Sequence, residues 1–212
     1  MLASATDLAK SWGAGTGLAP VSFALSVGEL VVVRGRSGSG KSTLLALLAG
    51  WIEPDAGRLD RAGPWSDGVA RTWAGTAILP QVIAPIAELT TLENVALPLR
   101  LRGASWAESA SRAGSLLRDL DLTAEADRAA VDASMGQQQR MALARAAIVE
   151  PVVLLADEPT SHQGADHVAG VLALLRSLVA GGTCVVVATH DPAMVVAADR
   201  VLDLDAPRAD PA

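Results

Sequence analysis

A chain of 212 residues has room for one large domain, or for a core with a small subdomain. Half of its residues are hydrophobic but only 3% are aromatic, so its core must be built from Ala, Val and Leu. The net charge of −6 argues against general nucleic-acid binding, and no apolar run reaches the length of a membrane span.

The N-terminus lacks the basic-then-apolar order of a secretion signal, so none is expected. The first patterned stretch, residues 21–27, alternates Val, Phe, Leu and Val with smaller residues, as a half-buried strand does. Gly28 turns it into residues 29–34, Glu-Leu-Val-Val-Val-Arg, a buried strand, and the two are expected to form a hairpin.

Next comes Gly35-Arg36-Ser37-Gly38-Ser39-Gly40-Lys41-Ser42-Thr43, which fits the P-loop pattern G-x-x-x-x-G-K-[ST]. Its glycines let the backbone curl until successive N–H groups face one point. The helix N-terminus behind that nest adds to its attraction for anions. Lys41 can reach β- and γ-phosphates, and the Ser42 hydroxyl can hold Mg²⁺. Residues 42–49 read as the helix that follows, ending before Gly50, so strand, loop and helix stand in the order the motif requires.

Residues 76–79 form a short predicted strand that ends at Pro80-Gln81, and helix begins near residue 91. Ser105-Trp106-Ala107-Glu108 is a capping box. Trp106, Ala110, Ala113, Leu117 and Leu120 then recur at three- and four-residue steps, predicting one buried stripe. Helix resumes over 135–149 and stops at Pro151.

Residues 152–156 are a continuous apolar strand, expected where a parallel sheet is covered on both faces. Val168, Val171, Leu172, Leu175 and Val179 mark a long helix closed by Gly181-Gly182. A third buried strand spans 183–189, a short helix 192–198 and a last strand 201–204. The single cysteine, Cys184, lies in that third strand, cannot form an internal disulfide and reads as a buried structural thiol. Strand and helix thus alternate at both ends of the chain, with a helical insertion between. The expectation is α/β, with a parallel core sheet, an antiparallel N-terminal part and a helical subdomain over about 88–145 of a single 1–212 domain.

The strand at 152–156 ends in Asp157 and Glu158. Ligands of open α/β sheets sit at the carboxyl ends of strands, so both acids should face the P-loop. Asp157 suits a Mg²⁺ shell, directly or through water, and Glu158 suits the general base that deprotonates an attacking water. Two adjacent acids tend to raise one pKa. Gln81 and His190 follow two other strand ends and should lie along the same edge. The Gln81 amide can bind Mg²⁺ or water, and His190 can contact a γ-phosphate and sense its loss.

Taken together, these residues resemble the ATPase domain of an ATP-binding-cassette (ABC) transporter, a P-loop NTPase, over nearly the whole chain. P-loop, Gln-loop at Gln81, helical subdomain, signature segment, acidic strand end and His-switch at His190 come in that family's order. The family's Leu-Ser-Gly-Gly-Gln signature is matched by Ala133-Ser134-Met135-Gly136-Gln137. The resemblance implies two such domains packed head to tail, as a homodimer or with a related ATPase. Each ATP, with Mg²⁺, would lie between the P-loop of one copy and Ser134, Gly136 and Gln137 of the other. Trp12 stands where the family stacks an aromatic on adenine.

Three departures accompany the resemblance. Met135 replaces the first signature glycine, Ala133 replaces its leucine, and Ser161-His162-Gln163-Gly164 stands where Ser-Ala-Leu-Asp is usual, with Asp166 two residues late. The implied function is an ATP-hydrolysing subunit whose nucleotide-driven dimer closure powers a separate integral membrane permease. It would be cytoplasmic and held at the inner face of the membrane by that permease. Residues 91–99 and Leu101-Arg102-Gly103 resemble the lipoprotein-release and macrolide-export type. The chain ends soon after its last strand, so the regulatory domain of some sugar importers is not expected. A soluble or low-turnover ABC ATPase acting as a nucleotide-gated binding module is the alternative.

Overall fold

In a computed structural model, the structure describes residues 1–13, 15–70, 72 and 75–205. Among the described residues, eight strands divide between two sheets. An antiparallel three-stranded sheet has the order β2-β1-β4, from β1 (Ala3–Gly13), β2 (Thr16–Leu25) and β4 (Ala56–Arg61). A parallel five-stranded sheet has the order β5-β6-β7-β3-β8, from β3 (Leu30–Arg34), β5 (Thr76–Leu79), β6 (Val153–Asp157), β7 (Cys184–Ala188) and β8 (Arg200–Asp203). The helices are α1 (Lys41–Ala49), α2 (Asp67–Ala70), α3 (Thr91–Leu101), α4 (Trp106–Asp119), α5 (Met135–Ala147), α6 (Ala165–Ala180) and α7 (Pro192–Ala197). None of them is long and apolar enough to cross a membrane.

The continuous apolar strands are buried on both faces, as their composition requires. Leu30, Val32, Leu154, Ala156, Val185 and Val187 point into one hydrophobic cluster with α3, α4, α5 and α6. Val31, Val33, Val153, Leu155, Cys184 and Val186 point into a second cluster with α1 and the antiparallel sheet. Burial pushes the Cys184 thiol up to about 12, which suits a structural residue.

The expected hairpin of residues 21–27 with 29–34 does not form. β2 pairs with β1, whereas β3 lies between β7 and β8 in the other sheet. Gly28 is left-handed, at φ 64°, but its N–H donates to Gly182 O at 3.2 Å instead of closing a two-strand turn. β1 and β4 escape a sequence reading because their residues, ASATDLAKSWG and AGRLDR, carry few β-branched side chains and much exposed polar surface. Trp106 is 45% exposed, so it lies outside the predicted stripe. Ser109 is buried one turn further on, bonding Ser105 O at 2.8 Å, while Ala113, Leu117 and Leu120 are buried as expected.

Candidate functional site

The carboxyl ends of β3, β5, β6 and β7 lie along one edge, since the four strands are parallel and adjacent, with Leu79 paired to Ala156 and Asp157 to Ala188. That edge carries a cavity of about 610 Å³. Trp12, Gly35, Arg36, Ser37, Gly38, Gly40, Lys41, Ser42, Thr43, Gln81, Asp157, Glu158 and His190 all line it, with Thr16 and Gly17 from the β1–β2 turn.

The loop is held in its curl from several sides. Gly40 caps α1 in the left-handed region, at φ 96°, and a Cβ there would meet Gly17 O at 2.5 Å. Only glycine satisfies both conditions. Ser39 N donates to Arg36 O at 3.1 Å, while the Ser39 hydroxyl is buried beneath the loop against Gly35, so Ser39 shapes the curl from below. Lys41 Nζ donates to Gly35 O at 2.7 Å and to Arg36 O at 3.1 Å, which sets its ammonium across the mouth of the nest. Ser42 Oγ donates to Asp157 Oδ2 at 2.6 Å.

Asp157 is 8% exposed. Burial raises its carboxyl above the ordinary range, and the Glu158 charge adds to the rise; the Ser42 bond and the Lys41 charge oppose it. Glu158 is left-handed at φ 50°, and its N–H donates to Ala188 O at 2.8 Å. Its side chain is gripped at both oxygens. Thr189 Oγ1 donates to Oε2 at 2.8 Å, and His190 Nδ1 lies 2.8 Å from Oε1. Thr189 was not legible in the sequence as a site residue, because a threonine closing a buried strand looks like any other β-former.

Trp12 is 57% exposed, yet its ring is fixed: Nε1 donates to Thr43 Oγ1 at 3.2 Å, and Lys10 Nζ lies 5.3 Å from its ring centroid. An indole pinned over the first turn of α1 is a flat surface at the open end of the cavity.

Ser134, Gly136 and Gln137 do not line this cavity. They form the N-terminus of α5, where Ser134 Oγ accepts from Gln137 N and Gln137 Oε1 accepts from Ser134 N, a reciprocal capping box. Met135 opens the helix, is 65% exposed and does not adopt a positive φ. The backbone at the first signature position therefore needs no glycine. The second does: a Cβ on Gly136 would meet His162 O at 2.6 Å.

Residues 18–161 match the ABC transporter family. An uncharacterized ABC transporter ATP-binding protein of Mycobacterium tuberculosis is 41% identical over 87% of this chain. The chain spans 58% of the length of that relative. The lipoprotein-releasing system ATP-binding protein LolD of Chromohalobacter salexigens is 37% identical over 84% of this chain and 78% of its own length. Among solved structures, a dimeric post-hydrolysis ATP-binding cassette bound to ADP and Pi superposes with a TM-score of 0.83 at 31% identity, covering 95% of this chain and 94% of that one. With a P-loop cavity at the carboxyl edge of a parallel sheet, and with these similarities, the chain belongs to the ABC transporter family as an ATP-binding cassette.

Proposed function

We propose that this chain hydrolyses ATP as one of a pair of cassettes and so drives a separate membrane permease. The observation that carries the reading is the shared cavity: phosphate-binding loop, Ser42, Asp157, Glu158, Gln81 and His190 face the same space. ATP would lie with its triphosphate in the nest and its adenine on Trp12, and Lys41 would exchange the Gly35 and Arg36 carbonyls for phosphate oxygens.

The residues fit Mg²⁺. Among the described residues no group of three or more His, Cys, Asp or Glu side chains is arranged to hold a metal ion by itself, but Mg²⁺ commonly binds through one or two protein oxygens plus substrate phosphates. Ser42 Oγ and Asp157 Oδ2, 2.6 Å apart, are two hard donors on one spot, and Gln81 adds an amide oxygen from the same cavity. When bound there, the ion would offset charge on the β- and γ-oxygens.

Glu158 would take the proton as water attacks the γ-phosphorus; the β–γ bridging oxygen leaves with ADP, and the products are ADP and Pi. Thr189 and His190 hold that carboxylate in place, and His190 would also report the γ-phosphate. Ser134, Gly136 and Gln137, set apart from their own chain's cavity, would bind the nucleotide of the partner cassette. Dimeric cassettes among the structural neighbours support this arrangement. Turning a 1:99 open–closed population into 99:1 takes about 5.5 kcal/mol of differential binding, within reach of two shared triphosphates.

The relatives named as lipoprotein-releasing system ATP-binding proteins support a permease of the lipoprotein-release type. A second cavity of about 580 Å³, with Trp51, Ile86, Leu97, Pro98 and Arg145 in its lining, would receive the permease's coupling segment. Asn94 shapes it, accepting from Ile86 N at 2.9 Å and donating to Ile86 O, Leu89 O and Thr90 O.

Lys41→Ala should abolish ATP binding measured by calorimetry. Glu158→Gln should keep binding and lose about 10²- to 10⁴-fold in turnover. ATP binding unchanged by Lys41→Ala overturns the site, and full turnover in Glu158→Gln overturns the mechanism.

A further inference from the structure

The loop that follows Glu158 is bonded to the first turns of α5 at two levels. Gln139, 2% exposed, donates from Nε2 to the Glu158 carbonyl and to Ser161 Oγ (2.9 Å), and Ser161 Oγ donates back to Gln139 Oε1 at 3.1 Å. At the far end, Gln163 Nε2 donates to Gly136 O at 3.0 Å, and Gln163 Oε1 accepts from Arg140 Nη1 at 2.5 Å. The Arg140 guanidinium is itself buried, with Nε donating to Leu120 O at 2.9 Å. Gly136 lies so close to the His162 carbonyl that no side chain fits between them. The loop is also conformationally committed, with Glu158 and His162 both left-handed, at φ 50° and 60°.

These contacts make residues 158–163 and the start of α5 one hydrogen-bonded body. One end presents the carboxylate proposed as base. The other presents Ser134, Met135 and Gly136. The usual aspartate of this loop is absent here, and Gln163 stands at its leucine position.

We propose that Gln163 is a positioning residue: it transmits movement of the α5 N-terminus to Glu158, so that one site's base is set in register when α5 engages the other site's nucleotide. The inference rests on the paired-cassette reading. A side-chain amide is suited to the task because it donates to Gly136 and accepts from Arg140 at once, which leucine cannot do and glutamate does only by half.

The test is steady-state ATP hydrolysis by the full chain with Mg²⁺, comparing Gln163→Leu and Gln163→Glu, each alone and on the Glu158→Gln background. Gln163→Glu keeps the Arg140 partner, and so the fold, but sets a carboxylate oxygen against the Gly136 carbonyl. Both variants should lose about tenfold in kcat, the scale of one charge-assisted hydrogen bond, with KM within about twofold. On the Glu158→Gln background neither should lower the residual rate further, because the residue acts through Glu158. Unchanged kcat in either variant, or the same tenfold loss repeated on that background, overturns the inference. Sedimentation of Glu158→Gln with ATP separates the two levels. Failure to dimerise with Gln163 intact overturns the paired-cassette reading and the inference with it. Dimerisation with unaltered Gln163 kinetics overturns the inference alone.

Discussion

Ser42 Oγ and Asp157 Oδ2 lie 2.6 Å apart, which joins the first turn of α1 to the end of β6. The bond places a buried carboxylate beside the glycine-rich loop, and its energetics differ from those of a surface acid. Burial raises the Asp157 carboxyl from the ordinary 3.8, so folding favours its protonated form. The ionised form therefore costs stability, fully above the folded value and not at all below the unfolded one. Asp157→Asn should raise the thermal midpoint of the nucleotide-free protein at pH 7–8 while weakening Mg²⁺-dependent ATP binding. The gain should shrink on acidification and vanish below about pH 3.8. A gain that grows as pH falls would contradict the assignment.

Asp199 has the opposite sign. The Leu30 N–H at 2.8 Å and the Arg176 guanidinium at 2.9 Å hold its carboxyl below the ordinary 3.8. Its contribution to stability is present above the ordinary value and disappears as pH falls through the lowered one. Asp199→Asn keeps an acceptor for Leu30 but loses the charge. Its thermal midpoint should lie below wild type at neutral pH, and the two curves should converge as the pH falls below 3.8. Parallel curves across that window would rule this account out.

Trp12 offers a flat ring tied to Thr43. Base stacking on an aromatic contributes roughly 1–3 kcal/mol. Trp12→Ala should weaken ATP binding by about 5- to 150-fold, whereas Trp12→Phe, which keeps a ring but not the Thr43 bond, should lose less than tenfold. Equal affinities for the alanine and phenylalanine variants, read by calorimetry, would remove stacking from the description.

The two signature positions should respond differently, although the family pattern carries glycine at both. Gly136→Ala forces a Cβ against the His162 carbonyl and should cost about 1–3 kcal/mol in urea denaturation. Met135→Gly removes an exposed side chain from the first helical position and should cost at most about 1 kcal/mol. A larger penalty for Met135→Gly would show that Met135 packs in a way this geometry lacks.

The parallel core was legible because residues 30–33, 152–156 and 184–188 are apolar without alternation, as strands covered on both faces are. β1 and β4 were not, since an antiparallel strand of small and charged residues with much exposed surface resembles a loop until its partners are known. The hairpin error has the same root: a strand's neighbour is a long-range choice, and Gly28 permits a turn without selecting the strand that follows as a pairing partner.

By itself the sequence determined the glycine-rich loop between strand and helix, the acids after the buried strand and the residues at two further strand ends, because these depend on spacing within short segments. Only the tertiary structure decided which oxygen grips which group: Thr189 and His190 on Glu158, and Gln139 and Gln163 binding α5 to the loop behind it. Those contacts join residues 19 to 32 positions apart, and no periodicity encodes a hydrogen bond that exists only once two elements have packed.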